Sequence, residues 1–71
     1  MTAYELAQSI HDADRDNIET GYRMTIEEAA DLLRDYRYGD EDGEYAEITA
    51  EELAEDFNEI QARYEAANEE D

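Results

Sequence analysis

The feature of this sequence that most restricts its fold is a helix-start motif that occurs three times. Each copy reads Thr-x-x-Glu, and the copies begin at Thr2, Thr25 and Thr49. In this capping box, the Thr hydroxyl accepts a hydrogen bond from the backbone amide three residues later, and the Glu side chain accepts one from the Thr amide. An apolar residue precedes each Thr, as is common where a helix begins. The motif therefore predicts three helices.

The spacing of the apolar residues supports the same number of helices. In the third segment these residues recur at intervals of four, three and four, which is the spacing of one helix face. Similar stripes precede it, and together they predict helices near residues 3–18, 25–37 and 49–67. The first stripe would run into Asp14, so we expect that helix to end or bend between Asp12 and Asp16. The predicted core consists of Leu6, Ile10, Ile26, Leu33, Leu53, Phe57 and Ile60.

Two short segments do not fit the helical pattern. Residues 22–24 and 45–48 alternate apolar and polar side chains just ahead of a capping Thr, and Gly39 and Gly43 interrupt the chain between them. Such alternation is typical of strands, so the two segments are candidates for a short two-stranded β ribbon. The predicted fold class is mainly α: a small three-helix domain over residues 1–71, with at most this ribbon added.

Composition supports a folded chain and excludes several classes of protein. Of the 71 residues, 23 are acidic and five are basic, giving a net charge of −18. Six Tyr, one Phe and no Pro distinguish the chain from disordered acidic tails. Without Cys it can form neither disulfides nor thiolate metal sites. We find no apolar run long enough for a signal peptide or a membrane span, and we interpret the chain as a cytoplasmic protein.

The sequence offers little for catalysis or for metal binding. His11 is the only His, and no nucleophile and base can be combined with it, so we predict no enzymatic activity and no cofactor. We expect His11 at a helix surface. The carboxylates at positions 12, 14 and 16 are similar to the start of a calcium loop, but Asn17 and Arg23 occupy the places that require Gly and Glu. No metal site is predicted.

The candidate functional feature is therefore the arrangement of negative charge. With the apolar stripes facing inward, the second and third helices carry carboxylates on their outer faces and flanks, and the segment joining them adds more. Tyr38 and Tyr45, in or beside that segment, are candidate aromatic anchors for a partner. The predicted acidic partner-binding residues are Glu28, Asp31, Asp35, Asp40, Glu41, Asp42, Glu44, Glu47, Glu51, Glu52, Glu55, Asp56 and Glu59.

The amount of charge can be compared with that of DNA. A spherical domain of this length would have a radius of gyration of about 11 Å and a diameter of about 28 Å. Duplex DNA carries one charge per about 1.7 Å, so 18 charges correspond to about 31 Å of duplex. Like-charge repulsion argues against direct binding to nucleic acid or to an anionic membrane. The expected partner is instead a basic nucleic-acid-binding protein.

In size, charge and compactness over its whole length, the chain resembles the small acidic DNA-mimic inhibitors of phages and other mobile elements, such as anti-restriction and anti-CRISPR proteins. That resemblance implies an inhibitor that occupies the basic groove of a CRISPR effector or a restriction complex, and a homodimer would lengthen the acidic surface. Two alternatives remain open. One is a small acidic adaptor for another basic protein. The other is a domain adapted to high salt, since every basic residue is Arg.

Overall fold

The computed structural model describes residues 1–41 and 43–68, and three helices form within them. Helix α1 spans Ala3–Asp14, α2 spans Ile26–Arg37 and α3 spans Ala50–Asn68. Among the described residues, α1 and α2 both pack against α3, the longest helix, and not against each other. The predicted mainly α, three-helix class is confirmed. The first helix ends at Asp14, between Asp12 and Asp16 as expected, and four residues before the predicted boundary at residue 18.

Each helix begins at its predicted capping Thr. At the first start the capping box is complete: the Glu5 amide donates to the Thr2 hydroxyl at 3.1 Å, and the Thr2 amide donates to the Glu5 carboxylate at 3.2 Å. Thr25 and Thr49 each accept from the amide three residues later, also at 3.1 Å. These bonds satisfy backbone amides that have no partner inside a helix, which fixes where each helix starts.

The core lies along one side of α3 and includes six of the seven residues predicted for it. The exception is Ile26, which is 57% exposed. It is the first residue of α2, one turn ahead of the buried Ala29 and Leu33, and the buried residue at this end of the helix is Met24 from the preceding segment. The core residues are Ala3, Leu6, Ala7, Ile10, Met24, Ala29, Leu33, Ile48, Leu53, Ala54, Phe57 and Ile60.

The predicted β ribbon does not form; the described residues contain no strand. The first candidate segment is held by a side chain of α3: the Asn58 amide group accepts from the Met24 amide at 2.6 Å and donates to the Met24 carbonyl at 3.0 Å. The second candidate segment folds into a turn, and the Arg37 guanidinium donates to its Tyr45 and Ile48 carbonyls. Because side chains satisfy these backbone groups, the two segments do not need to pair.

The described chain is elongated, with extents of 45 × 19 × 18 Å and a radius of gyration of 12.6 Å. The sphere about 28 Å across that the sequence suggested is therefore wrong. The shape arises because α1 and α2 bind at different heights along α3. His11 of α1 meets Gln61 in the second half of α3, whereas Arg37 at the end of α2 reaches Ile48, ahead of α3.

Candidate functional site

The outer face of α3 presents a row of carboxylates. Glu51, Glu55 and Glu59 are all exposed and lie four residues apart, which is about 6 Å along the helix axis. Glu52 is also exposed and Asp56 is half-buried, both on the flank of this row. Glu51 and Glu52 stand in the first turn of α3, where the positive end of the helix dipole favours negative charge.

Three of the thirteen predicted carboxylates bind side chains of this chain. Asp31 forms an ion pair with Arg34 at 2.6 Å, and Glu59 forms one with Arg63 at 2.8 Å. Both pairs are mostly exposed, so each contributes at most about 1 kcal/mol. The third, Glu28, accepts from the hydroxyls of Tyr22 and Thr25, and the Tyr22 hydroxyl lowers its pKa.

A fourth predicted carboxylate has a structural role. Asp40 accepts hydrogen bonds from the Gly43 and Tyr45 amides, both at 3.1 Å. Gly43 has φ +71, in the left-handed region that glycine adopts without strain, so the carboxylate and the glycine together define the turn before α3. This turn fixes where the following acidic residues lie.

The remaining predicted carboxylates, except Asp42, have no side-chain hydrogen bond or ion pair within the described residues. Asp42 lies outside the part of the chain that the structure describes. We call the eight the open carboxylates. Seven of them fall within residues 41–56, and the eighth stands on α2. They are Asp35, Glu41, Glu44, Glu47, Glu51, Glu52, Glu55 and Asp56.

The two candidate aromatic anchors differ in their surroundings. Tyr38 follows α2 and is 90% exposed, so its ring is free to contact a partner. Tyr45 is half-buried, packs against the core and lies 5.4 Å from the Tyr36 ring, centroid to centroid. Tyr45 therefore contributes to packing within the chain.

His11 is a buried residue, and the expectation of a surface position was wrong. It is 2% exposed, and its ring lies 5.5 Å from the Phe57 ring and 5.2 Å from the Tyr64 ring. The reason is that His11 follows Ala7 by four residues on the face of α1 that packs against α3. Its polar atom is satisfied there by Gln61, at 2.6 Å.

Gln61 begins a polar network that the sequence did not predict. Its amide nitrogen donates to Glu65 at 2.9 Å, and Glu65 also accepts from the Gly21 amide at 2.6 Å. Arg23 donates from both terminal nitrogens to the two Glu65 oxygens, each at 3.1 Å. The Arg23 guanidinium, followed by the Gly21 amide, lowers the pKa of Glu65 to about 2. The only available signal was the spacing of Gln61 and Glu65, four residues apart beside the apolar stripe.

The charge per unit length is lower than the sequence comparison with DNA suggested. The described residues carry 19 acidic side chains and five Arg, because Asp42, Glu69, Glu70 and Asp71 fall outside them, so their net charge is −14. Spread over 45 Å, this is about 0.3 charges per Å, whereas duplex DNA has about 0.6. Averaged over the described residues, the charge density is about half that of duplex. Along the sequence the charge is most concentrated in residues 41–56, where seven of the fifteen described residues are open carboxylates and none is basic.

Among the described residues, no group of three or more His, Asp or Glu side chains could hold a metal ion. None of the described helices is both long enough and apolar enough to cross a membrane. No family model, curated protein or solved structure matches this chain.

Proposed function

We propose that this chain binds the basic groove of a nucleic-acid-binding protein and excludes the nucleic acid from it. The observation that supports this function is the set of open carboxylates in residues 41–56, from the turn after α2 to the second turn of α3. Since none of them forms an ion pair within the described chain, and the nearby Arg37 guanidinium donates to backbone carbonyls instead, they are available to Lys and Arg of a partner. A CRISPR effector or a restriction complex offers a groove of this kind.

The physical basis is the same as for nucleic acid itself. A basic groove attracts negative charge over several ångströms, which raises the association rate, and carboxylates can accept two parallel hydrogen bonds from one Arg. Exposed charge pairs contribute little individually, so binding depends on many of them acting together. Because the average density is about half that of duplex, the local concentration of charge at residues 41–56 must supply most of the attraction.

Affinity capture with a charge-reversed variant tests this function. The chain is immobilised and exposed at low salt to a lysate of the source cells, and bound proteins are eluted with rising salt or with duplex DNA. We expect basic nucleic-acid-binding proteins in both eluates. The double variant Glu51→Lys and Glu55→Lys should lose them, whereas Asp12→Lys and Asp16→Lys on and just after α1 should retain them. Capture of acidic or metabolic proteins alone, or equal loss in both variants, would overturn the proposal.

The exposure of Tyr38 favours a second candidate, an acidic adaptor that binds through an aromatic side chain. Buried Tyr residues often dominate the binding energy of protein interfaces. An adaptor of this kind would lose its partner on Tyr38→Ala at every salt concentration, and it would tolerate the reversals on α3. A nucleic-acid mimic should instead tolerate Tyr38→Ala and lose its partner when the charges on α3 are reversed.

The distribution of carboxylates also fits adaptation to high salt. Exposed acidic residues stand on all three helices and in both connections, which is the arrangement of a general hydration layer as well as of a binding surface. Circular dichroism against salt concentration separates the two explanations. Folding that appears only above about 1 M salt, where the Debye length is about 3 Å, together with no captured partner, would favour the halophile explanation.

A further inference from the structure

An open groove of about 600 Å³ lies beside α3, between the end of α1, the connection that follows it and the first half of α2. Its floor and walls are mostly apolar. Six apolar residues line it. Three of them belong to the buried core, and the other three are only partly buried, so their outer surfaces face the groove. The six are Ile10, Met24, Phe57, Ile18, Tyr22 and Leu32.

The rim of the groove is acidic. Asp14 and Glu19 line it from the side of α1 and the connection, and Glu28 and Asp31 line it from α2. No basic side chain is among the described lining residues, but the Asp31 carboxylate is already paired with Arg34, so the unpaired rim charges are those of the other three carboxylates. Within the described chain, Asp14 and Glu19 have no side-chain hydrogen bond, so their charge faces solvent or a ligand. An apolar floor between carboxylates is complementary to a ligand that is both apolar and cationic.

We propose that this groove binds an amphipathic helix of a basic partner protein, with an apolar side chain on the floor and Lys or Arg at the rim. The inference deepens the proposed function, because it depends on a basic partner. The groove offers the partner an apolar contact that a nucleic acid would not offer it. The residues of the groove are separate from the open carboxylates of 41–56. The inference therefore predicts selectivity among basic proteins, where charge alone would bind them all.

The shape and charge of the groove favour this occupant over two others. A small-molecule pocket encloses most of its ligand, whereas this groove is open to solvent, as is typical where a helix lies in a groove. A second copy of the chain is disfavoured because each copy carries a net charge of −18. The basic helix is the occupant that gains from both the floor and the rim.

Contacts within the chain hold several residues of the groove in place. Tyr22 crosses the Phe57 ring edge-on at 5.9 Å, and its hydroxyl is held by Glu28. Met24 is fixed through its backbone by Asn58. Since these contacts hold the groove residues in place, binding requires little reorganisation, which preserves affinity.

Titration of the isotope-labelled chain with three synthetic peptides, followed by NMR, tests the inference. The first peptide, of about 14 residues, places Leu on one helical face and Arg on its flanks. The second replaces each Leu by Ser, and the third replaces each Arg by Gln. At physiological salt the first should shift the resonances of Ile18, Met24 and Leu32 and bind at least about tenfold more tightly than the others. The second should instead shift residues 51–56 and be released by added salt.

Matched variants connect binding to the groove. Asp14→Asn with Glu19→Gln removes two rim charges without touching the core, and it should weaken the first peptide at least about fivefold. Glu51→Gln with Glu55→Gln removes the same charge from the outer face of α3. It should weaken binding of the second peptide and change the affinity for the first less than about twofold, because salt screens exposed charges from one another beyond the Debye length of about 8 Å.

The results separate this inference from the proposed function. Equal affinity of the first two peptides, or shifts from both at residues 51–56 alone, would overturn the groove while capture of basic proteins through α3 could still succeed. Shifts at Ile18 and Leu32 that depend on both Leu and Arg support the groove, even where the capture experiment yields no nucleic-acid-binding protein.

Discussion

The His11 ring nitrogen Nε2 lies 2.6 Å from the side-chain oxygen of Gln61, which joins α1 to α3 through a hydrogen bond inside the core. Both residues are almost fully buried, at 2% and 1% exposure. Because an amide oxygen only accepts, His11 donates from Nε2. The Gln61 amide nitrogen then donates onward to the Glu19 carbonyl at 3.3 Å and to Glu65. One buried amide thus links two helices and the connection between α1 and α2.

Replacing Gln61→Leu should lower the free energy of unfolding by about 1 to 3 kcal/mol, because the buried donor of His11 loses its acceptor. The double variant His11→Leu with Gln61→Leu should cost less than the sum of the two single changes, with a coupling of about 0.5 to 3 kcal/mol. Urea denaturation of the four proteins measures this. Strictly additive costs would contradict a direct bond.

The Asn58 side chain makes the two hydrogen bonds to the Met24 backbone that a neighbouring strand would otherwise make. In Asn58→Leu the Met24 amide and carbonyl both lose their partner, each at a cost of about 1 to 3 kcal/mol if it stays buried. Hydrogen exchange at the Met24 amide should accelerate more than exchange at the middle of α2. Gln8→Ala is the control, since it removes an exposed bond to Asp12 within α1 and should have little effect. Unchanged protection of Met24 would show that Asn58 does not hold this segment.

Glu65 should make stability depend on acid in a defined window. Its folded pKa of about 2 lies below the ordinary value of 4.5, so the stabilisation is fully present above pH 4.5 and is lost as the pH falls towards 2. Glu65→Gln lacks this contribution. The wild-type advantage over Glu65→Gln should therefore be constant near neutral pH and shrink between pH 4.5 and 2, which thermal melts at each pH would measure.

The control for this comparison is Glu55→Gln, which makes the same charge change at an open carboxylate. Relief of repulsion among the other acidic side chains affects all three proteins alike, so the differences isolate Glu65. A wild-type advantage over Glu65→Gln that does not vary with pH would contradict the role of its charge.

Truncation of Phe57 should cost far more stability than truncation of Ile26. Phe57 is 2% exposed, and its ring lies against the rings of His11 on α1 and Tyr22 ahead of α2. Phe57→Ala should therefore cost about 3 to 5 kcal/mol. Ile26→Ala should cost less than about 1 kcal/mol, because most of that side chain is in water. Chemical denaturation compares the two. A large loss of stability in Ile26→Ala would contradict the exposure of this side chain at the start of α2.

Salt should stabilise the fold. With a net charge of −18 and three ion pairs among the described residues, repulsion between carboxylates opposes the compact state. The melting temperature should rise as the Debye length falls from about 30 Å at 0.01 M salt to about 3 Å at 1 M. Glu51→Gln with Glu55→Gln should melt higher than the wild type at low salt, and the gap should close at high salt. A gap independent of salt would contradict repulsion as its cause.

Local rules were sufficient for the helices. The start of each one follows from a Thr hydroxyl and amides within three residues of it, and the apolar stripes of α1 and α3 identify buried residues such as Leu6 and Phe57 correctly. The exposure of Glu51 and Glu55 follows from the same periodicity. Burial at the start of α2 was harder to predict, because the period places Ile26 on the apolar stripe but does not indicate where the contact with α3 ends.

The sequence by itself determined the number of helices, their starts and the acidic character of the surface, because each depends on neighbours within about one helical turn or on composition alone. Only the tertiary structure decided that His11 is buried, that Asn58 and Arg37 replace a β ribbon, that the body is elongated, and that Tyr22, Leu32 and Asp14 line one groove. Each of these depends on which side chains distant in the chain meet across α3. That choice is made by packing and by the need to satisfy buried polar groups, and neither leaves a periodic signal in the sequence.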